Sequence, residues 1–445
     1  MTLNNRAALF LLALLSLPPF WGTANLAHAG RELTIGCVLP LSGDQADVGA
    51  QALKGIQLAF SAKSQFVDKA GLKLVLKDSG GNAESIAVAM NELAADATVL
   101  GVVGMFAPAQ LRPALSNGGY NLAIIAPSVG AKPELTQNEK SRLFQIELTN
   151  SGQVDTLVEI AMKKLNLRTF AVLHPDSQYG AELSGLFIEA VKKNGGTITV
   201  VEKYDPSQTD FKAQMTALGG MDDHHLRQAI YTYAKEHPDK SIEELNAALH
   251  TIYRKGLSYP RITKTKGLPL SKNNFSFEMK VGYDAIFLPA GYEQAGLILP
   301  ALAFYNIADM LVLGTDMMLS PEFVTIGGKY AENALFTGEF YPSAAENGVK
   351  TFTSNYKNAV GENPDVVAAR YYDAMMMTLS LVENGGVGDR RKMLAALNGL
   401  TTYGGVSGMV RRLPDGGLEK IPLVFTVEKG KIIEYQPPAP PEKQR

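Results

Sequence analysis

Ser42, Ser128, Tyr179, Tyr292 and Asp316 share one feature: each falls where the chain leaves a stretch that reads as a buried strand. Gly43 follows Ser42 and leaves the backbone bare at that turn. In open α/β sheets, ligands sit at the carboxyl ends of strands, beside helix N-termini whose unpaired N–H groups attract anions. A hydroxyl and exposed N–H groups can donate to a carboxylate, and an aspartate can accept from an ammonium. A tyrosine can stack on or cover a small solute. Plainer roles suit the same residues: a turn for Ser42, packing of helix starts for Tyr179 and Tyr292, a helix cap for Asp316. Asp373 falls inside a helical stretch and suits a local hydrogen-bond partner.

Metal and catalytic chemistry find less to work with. His224, His225, His237 and His250 fall in one segment, yet their spacing matches no established ligand pattern and no cysteine accompanies them. Solvated helix faces are the expectation there, with no metal and no cofactor. The chain carries no G-x-S-x-G elbow, H-E-x-x-H helix or G-x-x-x-x-G-K-[ST] loop, and His174 has no nucleophile beside it in sequence. Binding, rather than catalysis, is the expected work.

The elements that must hold these residues alternate. Strands read at 33–39, 72–76, 99–103 and 122–126, with helices at 49–61, 83–95 and 109–117 between them. The rhythm restarts after 144–148 with a helix at 151–165, strands at 169–173 and 197–201, and a helix at 179–193 stopped by Asn194-Gly195-Gly196. It resumes with strands at 285–288, 310–313 and 334–340 and helices between and after them. Two α/β blocks of similar build predict two similar, doubly wound, Rossmann-like lobes. Residues 219–281 break the pattern: two exposed helices, 223–235 and 242–255, precede a basic stretch at 254–274 that reads as a loop.

Size and charge narrow the class. The 445 residues hold enough for two or three domains. A net charge of −2 gives nucleic-acid binding no electrostatic support, and 46% hydrophobic residues exclude chain-wide disorder. Residues 1–29 read as a signal peptide: Arg6, an apolar run at 7–17 too short to span a bilayer, and Ala27-His28-Ala29 at the cleavage site. The expected mature chain starts at Gly30 and carries no membrane span. Cys37 is the lone cysteine and falls in a strand, so it is expected to be a buried hydrophobe rather than a lipidation site or half of a disulfide.

Order and spacing of several short pieces then point to a family. They are Ile35 with Leu39-Pro40-Leu41-Ser42-Gly43, Gly101-Val102-Val103-Gly104, Ile125-Ala126-Pro127-Ser128 and His174-Pro175-Asp176 with Tyr179-Gly180. Thr209-Asp210-Phe211, Gly314-Thr315-Asp316 and Tyr371-Tyr372-Asp373-Ala374 complete the set. From about residue 32 to 434 the chain resembles the leucine/isoleucine/valine-binding type of periplasmic solute-binding protein. Phe287-Leu288-Pro289-Ala290-Gly291-Tyr292, Leu299 to Tyr305 and the long insert resemble a subgroup similar to penicillin-binding-protein activators.

The resemblance implies lobes joined by a multi-crossing hinge, closing on a small ligand that an ABC-type permease then receives. It places lobe 1 at 30–146 and 343–402, lobe 2 at 147–342 and 403–436 with the 219–281 insert, and a tail at 437–445. It adds the turns after the third and fourth strands to the site. There Phe106 and Ala107 stand without a hydroxyl, and Val129 follows Ser128. Met105 and Phe106 imply a ligand that is amino-acid-like or partly apolar. The alternative is an envelope regulator that contacts a cell-wall synthase through the insert.

Overall fold

The computed structural model describes residues 32–106, 110, 115, 122–127, 136, 139, 141–253, 257–271, 273–414 and 416–437. The expected signal peptide lies outside them.

The first half is built on a parallel sheet of five strands, β1 (Leu33–Leu39), β2 (Leu72–Asp78), β3 (Val99–Gly104), β4 (Ala123–Ala126) and β5 (Leu143–Gln145), in the order β2-β1-β3-β4-β5. β3 and β4 are buried along their whole length, which accounts for their unbroken apolar sequence. Helices α1 (Ala46–Ala62), α2 (Ser64–Ala70) and α3 (Ala83–Ala95) belong to this half, and Asn82 caps α3 by accepting from the Ser85 N–H at 2.9 Å.

The second half has a sheet of seven: β6 (Thr169–Pro175), β7 (Thr197–Tyr204), β10 (Ala285–Phe287), β12 (Leu311–Gly314), β13 (Leu335–Gly338), β17 (Leu423–Glu428) and β18 (Lys431–Glu434). Their order is β18-β17-β13-β12-β10-β6-β7, parallel from β13 to β7 and antiparallel at β17 and β18. Helices α4 (Asn150–Glu159), which runs into a π-helical turn at Ile160–Lys164, α5 (Gln178–Lys193) and α6 (Lys212–Ala217) fall in this half. Phe187 stacks on Phe287 and meets Phe170 edge-on at the centre of its core.

Residues 221–281 form a unit with its own apolar centre of Leu226, Ile230, Leu245, Leu249, Ile262, Phe275 and Met279. Its helices are α7 (Asp223–Glu236) and α8 (Ile242–Tyr253), the second opened by a reciprocal Ser241–Glu244 capping box. Within the basic stretch, residues 258–265 are not a loop, as the sequence suggests, but one strand of an antiparallel hairpin, β8 (Ser258–Thr265) with β9 (Phe275–Val281). Pro260 and Ile262 point inward and Arg261 outward, so its charge occupies the solvent face of the strand. The carboxamide of Asn246 bonds both the N–H and the carbonyl of Ile262, at 2.8 and 3.1 Å. A short strand, β11 (Ile307–Ala308), pairs with β9 and ties the unit to the second half.

After α9 (Tyr292–Phe304) and α10 (Pro321–Gly327) in the second half, the chain returns to the first. Helices α11 (Asn347–Val360), α12 (Val366–Gly385) and α13 (Arg390–Gly399) complete it. α1 and α12 press so close that a Cβ on Gly55 would stand 2.2 Å from the Ala368 carbonyl oxygen. Strands β14 (Thr402–Gly405), β15 (Gly408–Arg412) and β16 (Leu418–Ile421) form a small antiparallel sheet before the chain crosses back. Val410 and Leu418 bury in the core of the first half, so this crossing falls later than the expected 402/403 boundary. The structure is therefore α/β, with two lobes, three crossings and an added α/β unit in the second lobe.

Candidate functional site

Topology brings the strand ends together. The first crossing leaves the carboxyl end of β5 through Glu147, and the second leaves that of β13 through Glu339. Both carboxylates are buried and both act on the guanidinium of Arg370, on α12. The carboxyl ends of the two sheets therefore converge on the crossings, where an open α/β sheet places its ligands.

On the first wall, Asp78 organises the turn after β1. Its Oδ1 accepts from the N–H groups of Leu41 (2.9 Å), Ser42 (3.3 Å) and Gly80 (2.8 Å). Burial works to raise its carboxyl, but the Ser42 hydroxyl and these N–H groups outweigh it and hold it below the ordinary aspartate range. Ser42 is thus tied to Asp78, and its side chain is exposed. Gly43 has φ +77° and abuts Gly80, whose carbonyl oxygen would meet a Cβ at 3.0 Å.

Phe106 departs from its expected role. Its ring is 2% exposed and folds back beneath Gly104, where a Cβ would stand 2.3 Å from it. The missing side chain at Gly104 leaves a slot that the ring fills, so Phe106 serves the core with Val38, Ile86 and Ala126. Ala107, Ser128 and Val129 lie outside the described residues.

The second wall joins two of its predicted residues. The Tyr179 hydroxyl bonds Thr315 Oγ1 at 2.8 Å, and Thr315 precedes Asp316 at the end of β12. Burial pushes the phenol of Tyr179 up, and the nearby Asp316 adds to that. Asp316 opens a single 3₁₀ turn, Asp316–Met318, and is not the cap of α10, a role taken by Ser320. Its N–H donates to Gln153 Oε1 at 2.9 Å, and the Thr337 hydroxyl donates to the same oxygen at 2.6 Å. Asp316 keeps solvent contact on one side, while the surrounding protein desolvates its carboxyl and raises it. Glu339 adds to the rise, whereas Gln153 and Arg370 oppose it. Tyr292, half-buried at the start of α9, bonds the neighbouring Glu293 at 3.4 Å and lies apart from this cluster.

Sequence reading missed Gln153, Glu339, Arg370 and Lys420. Thr315 entered only as the middle of the Gly314-Thr315-Asp316 motif, with no role assigned to its hydroxyl. Asp373, expected to bond locally, instead accepts from the N–H groups of Val406 and Ser407 at 2.8 and 2.7 Å and from the Ser407 hydroxyl. In the added unit, Asp222, His224 and His225 bring ligand-type atoms within 4.8 Å of one another. The Asp222 carboxylate there already caps α7 and bonds the His225 imidazole at 2.6 Å.

Comparison with known proteins agrees with this architecture. A family model described as "Periplasmic binding protein" matches residues 32–220 and 279–431, which passes over the added unit. The Leu/Ile/Val-binding protein homolog 3 of Brucella melitensis is 28% identical over 212 residues, 46% of this chain and 57% of its own length. Leu/Ile/Val-binding protein BraC3 of Rhizobium johnstonii is 26% identical over 44% of this chain and 53% of its own. The chain thus spans a little over half the length of the curated relatives it matches. A branched-chain amino acid ABC transporter structure from Rhodospirillum rubrum superposes with a TM-score of 0.69 at 21% identity, covering 91% of this chain and 99% of that one. The isoleucine complex of LivJ from Streptococcus pneumoniae gives 0.52 at 21% identity, covering 90% and 98%.

Proposed function

Because the chain belongs to the periplasmic binding protein family, we propose that it is the exported solute receptor of an ABC-type transporter, capturing an amino-acid-like or partly apolar ligand by closure of its two lobes. The observation that carries this reading is the reach of the family match, which runs through both lobes and all three crossings. Those parts build the cleft. The relatives named for leucine, isoleucine and valine favour transport over envelope regulation. A membrane permease is the partner that receives the solute, and cleavage after Ala29 releases the mature protein. No helix among the described residues is long and apolar enough to cross a membrane.

In this reading Asp316 accepts from the ligand's ammonium, with Tyr179 and Thr315 beside it. Ser42, Gly43 and the turns carrying Ala107, Ser128 and Val129 meet the carboxylate from the first lobe, and Tyr292 covers the mouth. A ligand that touches both walls stabilises the closed form over the open one, and closure follows from that difference. The protein supplies contacts and leaves the ligand's covalent structure unchanged.

Thermal unfolding in the presence of branched-chain amino acids, other amino acids and short amides tests the proposal. A true ligand at about 100 times its Kd stabilises the fold by about 2.7 kcal/mol. Folded protein whose transition moves with none of these at millimolar concentration would refute capture of this solute class.

A further inference from the structure

The crossings meet at a cluster of charges. Arg370 donates to Glu339 through two nitrogens, Nε to Oε2 at 3.0 Å and Nη2 to Oε1 at 2.6 Å. Lys420 Nζ donates to the same Oε2 at 3.0 Å and to the Ser407 hydroxyl at 2.7 Å. Ser407 in turn donates to Asp373, one turn along α12 from Arg370. The side chains of Glu339 and Lys420 are 4% and 2% exposed, and that of Arg370 is 11%.

The members come from both sides of the hinge. Glu339 ends β13 in the second lobe and begins the second crossing. Arg370 and Asp373 stand on a helix of the first lobe, and Ser407 and Lys420 lie in the β14–β16 sheet, just before the third crossing. A two-point bond from a planar guanidinium fixes both position and orientation of the carboxylate it holds. Arg370 and Lys420 face the carboxyl groups of Glu339, Asp373 and Glu147. Burial works against Glu339's charge, but Lys420 and Arg370 outweigh it and keep the group ionised. A void of only about 10 Å³ adjoins the cluster, lined by Ile146, Arg370, Asp373 and Lys420 among others. Water has little room there to replace a broken bond.

We propose that Glu339, clamped by Arg370 and Lys420, is the pivot of the hinge: it sets the resting angle between the lobes and confines their motion to rotation about this point. Any other relative motion must part the two-point bond or pull a crossing from its anchor. This role does not depend on which ligand the cleft takes, and it makes Glu339, Arg370 and Lys420 positioning residues for closure.

Distance measurement between spin labels tests this on the full-length mature protein without ligand. Cysteines replace Val88 on α3 and Ile326 on α10, both exposed and in different lobes. Native Cys37 is fully buried with its thiol pushed up, so it does not compete for label. The labelled parent should give one narrow interlobe distance. E339Q removes the two-point bond and one negative charge, whereas E339Q/K420M removes the same bond but keeps the cluster's net charge at the parent's value. Both should fold and both should give a distribution at least twice as broad. A narrow, parent-like distribution in the double variant would overturn the proposal, because the cluster's net charge alone would then set the angle. So would loss of folding in both variants, since each lobe has its own core.

Discussion

Replacement of Gln153 by leucine probes the support beneath the candidate site. Gln153 is 2% exposed, and its one carbonyl oxygen serves both Thr337 and the N–H of Asp316. Leucine has similar size but no acceptor, so the fully buried Thr337 hydroxyl and the Asp316 N–H lose their partner together. An unsatisfied buried polar group costs about 1–3 kcal/mol. Two such losses, offset in part by the added apolar burial, give a destabilisation of about 2–4 kcal/mol. Urea unfolding followed by far-ultraviolet circular dichroism measures this as a lower midpoint at unchanged slope. T337V removes one orphan in advance, so Q153L should cost less in that background, with a coupling of about 1–2 kcal/mol. A Q153L change within about 0.5 kcal/mol of zero would refute the reasoning. So would strict additivity with T337V, because it would mean the shared oxygen links nothing.

Asp316 yields a prediction with a definite sign. Its folded carboxyl is raised, so the folded state binds the proton more tightly than the unfolded chain. Its contribution favours the fold below the unfolded value of about 3.9 and is lost as pH rises through the raised one. D316N should therefore raise the melting temperature at pH 7 and flatten the stability profile between those values, while weakening capture of any ammonium-bearing ligand; a lower melting temperature at pH 7 would contradict it. G55A should lower stability by about 1–3 kcal/mol, because α1 and α12 must part to admit a methyl group at the Ala368 carbonyl. Calorimetry reads this directly. Deleting residues 221–278, which the family match passes over, should leave the main thermal transition and any ligand-induced shift in place. Collapse of the whole fold would show that the unit's apolar centre is not separate.

Periodicity and breaks made the fold legible. β3 and β4 are buried on both faces and so are apolar at every position, β1 is nearly so, and the Asn82 and Ser241 caps are local contacts that neighbouring residues specify. The hairpin at 258–281 escaped because a strand with one buried face and a basic one looks, residue by residue, like a solvated loop. Phe106 misled for a related reason: an aromatic ring after a strand can turn outward to a ligand or inward to its own core. The empty position at Gly104 decided for the core.

The amino-acid sequence by itself determined the α/β alternation, the two-lobed plan and the strand ends that could meet a ligand. These follow from patterns spanning a few residues, where side-chain periodicity and turn chemistry act. The tertiary structure alone decided that Gln153 seats Asp316, that Ser42 is held by Asp78, and that Glu339, Arg370 and Lys420 join at the hinge. Those partners lie tens to hundreds of residues apart. A charge carries no mark in sequence of the opposite charge it will meet when folding removes both from water.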